Sequence, residues 1–333
     1  MKRNGKLPQR ILIVVLLAAM AVFFCVMRWW IGLVIEAVLI IAAIVLIAFT
    51  MVNLILKRDK PMPSGDIAGD EGLEERQKDA VLWLESGELM EQMSEDGLKL
   101  RGRLVKNGDS HVYALCCHGY KNHRMQDIAN QAKRFYDMGY NVFAGHARGH
   151  GRSEGEYIGM AVKERRDIAG WIDKLIQRDH EAKIFLYGVS MGGATVMNTS
   201  GEELPDNVRL VIEDCGYSSV WDEFVYQLGD GYGIPVHPIL NLCQAISKSR
   251  YGYGFHDVSP IEQVKKTKLP ILFIHGDIDT FVPYDMAKPL YEACSSEHKK
   301  LVSIKGAEHA VSIYTDPGTY WREVKSWLGA YLE

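Results

Sequence analysis

The chain opens with an apolar block and then changes character. Residues 1–10 carry Lys2, Arg3, Lys6 and Arg10. Ile11 to Met27 is uninterrupted apolar sequence, Arg28-Trp29-Trp30 follows, and a second apolar run extends from Ile31 to Leu56, broken by Glu36 and a few mildly polar residues. A helix of about 20 residues, within a range of roughly 17 to 25, crosses a bilayer. The two runs predict two transmembrane helices, about 11–27 and 31–56, turning at Arg28-Trp29-Trp30, where tryptophan and arginine suit the lipid–water interface. A cleaved leader fits less well, because Arg28-Trp29-Trp30 is not a small-residue cleavage site. Four basic residues precede the first run and Lys57, Arg58 and Lys60 follow the second. The positive-inside rule then places both ends, and the domain beyond, in the cytoplasm of a membrane-bound cell face. A single crossing would place that domain outside.

Residues 1–58 therefore read as an anchor. Residues 59–75 read as a linker, being rich in Pro, Gly and Asp at their start. Leu73 to Leu89 has amphipathic helical spacing. Residues 76–333 form the large domain. Its pattern alternates short apolar strands with helices. Strands are predicted at 98–105, 111–117, 141–144, 183–187, 208–213, 270–274 and 300–304. Lys106-Asn107-Gly108-Asp109 marks a first hairpin turn. Helices are predicted at 125–138, 163–178, 191–199, 284–293 and 317–331. This alternation implies an α/β fold with a mostly parallel sheet covered on both faces. Ligands then bind beyond the carboxyl ends of the strands. Residues 216–256 interrupt the rhythm with Trp221, Phe224, Tyr226, Tyr232, Tyr251, Tyr253 and Phe255, and read as a lid.

Composition adds limits. A hydrophobic share of 47% and a charged share of 24% are ordinary for a folded protein, and a net charge of −4 offers no basic field for nucleic acid. Six cysteines are present without a CxxC pair, so no disulfide framework or zinc site is expected, and adjacent Cys116 and Cys117 read as buried thiols on opposite faces of a strand. Five histidines near predicted strand ends (His118, His123, His146, His150 and His275) lack metal spacing and read as loop residues. No cofactor is expected, since neither a dinucleotide fingerprint nor a P-loop is present.

The chemistry sits at strand ends. Gly188-Val189-Ser190-Met191-Gly192-Gly193 follows one strand and precedes a helix, the context in which G-x-S-x-G presents a serine on a sharp turn. Asp277 and Asp279 follow the 270–274 strand, and Glu308-His309 follows the 300–304 strand. The order serine, acid, histidine is the order such a triad takes in this fold.

From about residue 90 onward the chain resembles the α/β-hydrolase superfamily, in the branch of serine aminopeptidases, monoglyceride lipases and small esterases. His118-Gly119-Tyr120, Arg148-Gly149-His150-Gly151-Arg152-Ser153-Glu154-Gly155, the serine turn, Asp279-x-x-Val282-Pro283 and His309 carry the resemblance. It implies Ser190 as nucleophile, His309 as base and Asp279 as acid, with Gly188 and Gly192 shaping the nucleophile elbow. It selects Asp279 over Asp277, which becomes a turn residue, and leaves Asp214 as a minor alternative. The backbone N–H groups of Tyr120 and Met191 would form the oxyanion hole. One departure is His146, where relatives usually carry aspartate two residues before Arg-Gly. The expected activity is hydrolysis of a carboxylic ester or thioester at a membrane. The alternatives are an aminopeptidase-like action on short peptides and, from another class, a non-catalytic membrane scaffold.

Overall fold

A computed structural model describes the backbone of residues 6–58 and 71–332, and side chains from 13–58 and 77–332. The chain begins with α1 (Lys6–Leu56), a single helix of 51 residues. The expected turn at Arg28-Trp29-Trp30 does not occur. The helix runs straight through it, because no glycine or proline lies at 28–30 and, among the described residues, no segment packs there to pull the chain back. From Ile13 to Ile47 nearly every apolar side chain of α1 faces outward, whereas Ala48, Val52 and Leu56 are buried.

Next comes α2 (Glu71–Glu85), then the strand β1 (Glu88–Met93). Residues 71–75, expected in the linker, are therefore helical, and 59–70 lie outside the described residues. The helix expected to reach Leu89 stops at Glu85, since 88–93 alternates exposed and buried positions and joins the sheet. That strand also corrects the first hairpin. Strand β2 (Lys99–Val105) pairs antiparallel with β1 across 94–98, not with the strand after Lys106-Asn107-Gly108-Asp109. The sheet continues with β3 (Val112–Cys117), β4 (Asn141–Gly145), β5 (Lys183–Val189), β6 (Val208–Asp214), β7 (Ile271–Gly276) and β8 (Lys299–Ile304). Its order is β1-β2-β4-β3-β5-β6-β7-β8, with β2 antiparallel to both of its neighbours and β3 to β8 mutually parallel. This is the α/β-hydrolase architecture that the resemblance implied.

Two layers cover the sheet. Helices α3 (Gln126–Asp137) and the C-terminal helix pack with Ala114, Cys116, Phe185 and Tyr187 on one face. On the other, α4 (Glu164–Arg178) and α5 (Met191–Ser200) pack with Leu115, Cys117, Ile184 and Leu186. Cys116 and Cys117 thus enter opposite cores, as strand alternation requires.

A third apolar cluster lies over the carboxyl ends of the strands. It joins the last turns of α1 to α6 (Val220–Tyr226) and α7 (Ile239–Tyr251), which form the insertion after β6. The chain closes through α8 (Pro260–Gln263), α9 (Ala287–Ala293), α10 (Ser312–Thr315) and α11 (Pro317–Tyr331), the C-terminal helix.

Backbone bonds stitch the end of α1 to the domain. Ile158 donates to the Leu56 carbonyl at 2.7 Å, Arg58 N–H donates to Glu156, and the Arg58 guanidinium donates to the carbonyls of Gly151 and Ser153. Residues 48–58 are thus built into the hydrolase domain rather than hung from it. That segment was expected to belong wholly to the anchor.

Candidate active site

The register of the parallel strands places the chemistry. Cys117 of β3 lies opposite Gly188 of β5, Val189 opposite Asp214 of β6, and Asp214 opposite Ile274 of β7. The residues that follow these strands therefore emerge together at one edge of the sheet. Ser190 follows β5 immediately and opens α5.

Its backbone shows why the flanking positions are glycine. Ser190 holds φ 58° and ψ −120°, a positive-φ state that side-chain-bearing residues rarely adopt. A Cβ on Gly188 would lie 2.1 Å from the Gly192 carbonyl oxygen, and one on Gly192 would lie 2.0 Å from that of Cys117. Both distances are far inside van der Waals contact, so the turn closes only with hydrogen at these positions. The Ser190 N–H donates to the Asp214 carbonyl at 2.8 Å, which pins the strained turn to β6.

The structure brings Ser190, His309 and Asp279 into one chain of contacts. His309 Nε2 is 2.9 Å from Ser190 Oγ, and His309 Nδ1 is 2.7 Å from Asp279 Oδ2. The other carboxylate oxygen, Oδ1, accepts the backbone N–H groups of Phe281 and Val282, each at 2.9 Å. Asp279 is buried, yet the histidine and backbone donors around it outweigh desolvation and hold its carboxyl down at about 2. It is therefore ionised at neutral pH. His275 contributes from below: its Nε2 is 2.8 Å from the Val282 carbonyl oxygen and 3.4 Å from Asp279 Oδ2. Phe281 lays its ring 4.8 Å from that of His309.

The other acids fall elsewhere. Asp277 accepts the Gly306 N–H at 2.6 Å and ties the loop after β7 to the loop after β8. Asp214 accepts the Tyr320 hydroxyl at 2.8 Å, and Tyr320 in turn bonds Tyr187. Burial raises the Asp214 carboxyl to about 6. Cys215 sits beside the pair, with Sγ within 4.8 Å of ligand atoms of Asp279 and His309. Burial holds its thiol protonated, and both nitrogens of His309 already have partners, so this trio is a poor metal cage.

Tyr120 and Met191 both line the pocket in front of Ser190. Met191 is the first residue of α5, where backbone N–H groups have no partner within the helix. The loop carrying Tyr120 is fixed by Asp127, which sequence reasoning passed over, and by two of the histidines it read as loop residues. Asp127 Oδ2 accepts the Gly119 N–H at 2.6 Å. His118 Nε2 accepts the Ala147 N–H, and His150 Nε2 accepts the Lys121 N–H, each at 3.0 Å. Burial depresses both imidazoles, so each is neutral and able to accept. These histidines tie the loop after β3 to the loop after β4. Arg148 anchors the second loop through Asp96 and Asp167 at 2.7 Å each. His146 is buried, with Nε2 3.7 Å from Glu85.

In front of the serine lies a cavity of about 200 Å³, lined mainly by Ile55, Met160, Tyr217, Phe224, Tyr232 and Val282. Its walls come from α1, from the loops after β3, β4 and β7, from the start of α5 and from the insertion after β6. Glu223 is an acid in this lining, pushed up by burial to about 7 and held by Gln227 at 2.9 Å. Neither Ile55 nor Glu223 carries a sequence motif that could have pointed to it.

Known proteins share this plan. The family described as serine aminopeptidase, S33, matches residues 109–220 and 247–316. Protein YqkD of Bacillus subtilis is 29% identical over 236 residues, covering 70% of this chain and 76% of its own. A monoacylglycerol lipase of Mycolicibacterium smegmatis is 25% identical, covering 67% of this chain and 90% of its own. Among solved structures, the esterase PF2001 of Pyrococcus furiosus superposes with a TM-score of 0.61 at 20% identity, over 82% of this chain and 99% of that one. The chain belongs to the serine aminopeptidase S33 family, and is a serine hydrolase of the α/β-hydrolase superfamily.

Proposed function

We propose that this protein is a membrane-anchored esterase that cleaves carboxylic esters or thioesters through an acyl-enzyme on Ser190. The observation that carries this reading is the Ser190–His309–Asp279 chain of short contacts at the mouth of a mainly apolar pocket. His309 Nε2 takes the proton of Ser190 Oγ as the oxygen attacks the acyl carbonyl. The alkoxide or thiolate leaves with that proton, and water then attacks the acyl-enzyme by the same route in reverse. Ionised Asp279 holds the imidazole in the tautomer with Nδ1–H and stabilises the imidazolium. The N–H groups of Tyr120 and Met191 meet the oxyanion, each worth about 10²–10³ in rate. The helices of residues 216–256 act as the lid over this pocket.

A second reading has one observation in its favour. Glu223 could meet the amino group of a short peptide, as an aminopeptidase would require. The rest of the pocket lining is mainly apolar, and the ester reading leads. The test is fluorophosphonate labelling followed by turnover of p-nitrophenyl esters and of aminoacyl p-nitroanilides. Labelling with ester turnover is expected. Labelling with anilide turnover alone would transfer the assignment to peptides.

The anchor is α1. Its unbroken course favours one crossing, which with the four basic residues ahead of it puts the domain on the far side of the membrane. One observation favours two crossings and a cytoplasmic domain. The exposed apolar stretch from Ile13 to Ile47 spans about 52 Å at 1.5 Å per residue, against a hydrocarbon core of about 30 Å. Burying all of it in one pass needs a tilt beyond the usual range of about 0–40°. Alkaline phosphatase or green fluorescent protein fused after Glu333 separates the two. Active phosphatase is expected for one crossing, and fluorescence without phosphatase activity would establish two.

A further inference from the structure

The end of the membrane helix belongs to the pocket itself. Ile55 lines the cavity in front of Ser190. One turn earlier on α1, Met51 and Val52 line a second cavity of about 70 Å³, closed on its other side by Leu228, Leu240, Cys243 and Phe255. The two cavities share four wall residues: Ile55, Phe224, Gln227 and Tyr232. Apart from Gln227 and the Tyr232 hydroxyl, the lining of the second cavity is apolar.

The wall is held in place by bonds that only a structural element of the domain would make. The Tyr120 hydroxyl donates to the Ile55 carbonyl at 2.6 Å, and Lys121 Nζ donates to that of Leu54 at 3.0 Å. The Cys243 thiol points at the Ala48 carbonyl at 3.6 Å, and the Arg250 guanidinium lies 4.9 Å from the Phe49 ring centre. Tyr120 is also the residue whose N–H is proposed for the oxyanion hole. One residue thus links the helix end to the reacting centre.

We infer that the last turns of α1, with α7, form an acyl-chain site that runs from Ser190 past Ile55 and Phe224 into the cavity at Met51 and Cys243. The substrate class is an ester of an unbranched acyl chain longer than acetyl. This rests on the esterase reading of Ser190. The acyl carbonyl sits at the serine while successive methylenes leave water along α1. Each methylene buried favours binding by roughly fourfold, until the second cavity is full. A chain longer than the cavity must bend back toward solvent and gains nothing more. The inner cavity is lined almost wholly by apolar groups, so a peptide backbone entering it would lose its hydrogen bonds to water without replacement.

The test compares p-nitrophenyl acetate, butyrate, octanoate and palmitate with the full chain in detergent micelles. Fluorophosphonate labelling of the same samples counts the active serines. In the wild type, kcat/KM is expected to climb from acetate to octanoate. Two substitutions fill the inner cavity from opposite walls, Met51→Trp on α1 and Cys243→Phe on α7. Each is expected to lower the octanoate-to-acetate ratio of kcat/KM by about tenfold or more, as two or more methylenes lose their site. Leu54→Trp on the outward face of the same turn is expected to leave the ratio unchanged. An unchanged ratio in both cavity variants, with Ser190 still labelled, would overturn the acyl site while sparing the esterase reading. Loss of labelling in the wild type would sink the esterase reading instead. Because the ratio is internal to each sample, a partly folded variant still reports.

Discussion

Replacing Ser190 with alanine should lower kcat on an activated ester by on the order of 10⁵–10⁶-fold and abolish fluorophosphonate labelling. The size follows from the proposed mechanism. Without Oγ there is no acyl-enzyme, and His309 has no hydroxyl to activate. What remains is binding and the oxyanion donors, which alone support a residual acceleration of about 10³–10⁴ over water. The fold should survive. Ser190 bonds β6 through its backbone N–H, which alanine keeps. Alanine meets the same strain at φ 58°, so no new cost arises there. The measurement is kcat with labelling, alongside a thermal melt. Activity within about a hundredfold of wild type would remove Ser190 from the nucleophile role.

Asp279→Asn should cost about 10⁴ in kcat, with little change in the shape of the site. Asp279 Oδ1 accepts two backbone N–H groups, from Phe281 and Val282. An asparagine must therefore place its carbonyl oxygen there, because its amide would face two donors. Its NH₂ then points at His309 Nδ1, now forced to accept. The imidazole proton moves to Nε2, and that nitrogen can no longer take the proton of Ser190. The paired control is Asp214→Asn, which keeps an acceptor for Tyr320 and leaves the partner of His309 in place. A larger loss in Asp214→Asn than in Asp279→Asn would reassign the acid. Kinetics on both variants decide it.

Both expectations depend on contacts between residues far apart in the chain. Ser190 and His309 are separated by 119 positions, and His309 and Asp279 by 30. The chain could nevertheless be read for them, because each follows an apolar strand, and parallel strands bring their carboxyl ends to one edge of the sheet. Spacing alone left Asp277 and Asp279 equivalent. The resemblance chose Asp279, and the hydrogen bonds place it against His309 while Asp277 ties its loop to Gly306 in the loop after β8.

Local pattern and glycine placement by themselves determined most of the alternating elements, the parallel core of the sheet, the tight glycine-flanked turn at Ser190 and the order of the candidate triad, because each depends on a few neighbouring residues. The apolar character of residues 11–56 was equally plain, since hydropathy is additive along the chain. Tertiary structure alone decided the rest. The edge hairpin pairs β1 with β2 because β3 is taken up between β4 and β5, a competition among strands that no single segment records. The helix expected to break at Arg28-Trp29-Trp30 continues, as local propensity there offers nothing to stop it. Its last turns leave the apolar surface to bury Ala48, Val52 and Leu56 against the insertion after β6. An apolar helix that faces lipid and one that faces a protein core have the same composition. Only the packing partner, supplied some two hundred residues later in the chain by α7, tells them apart.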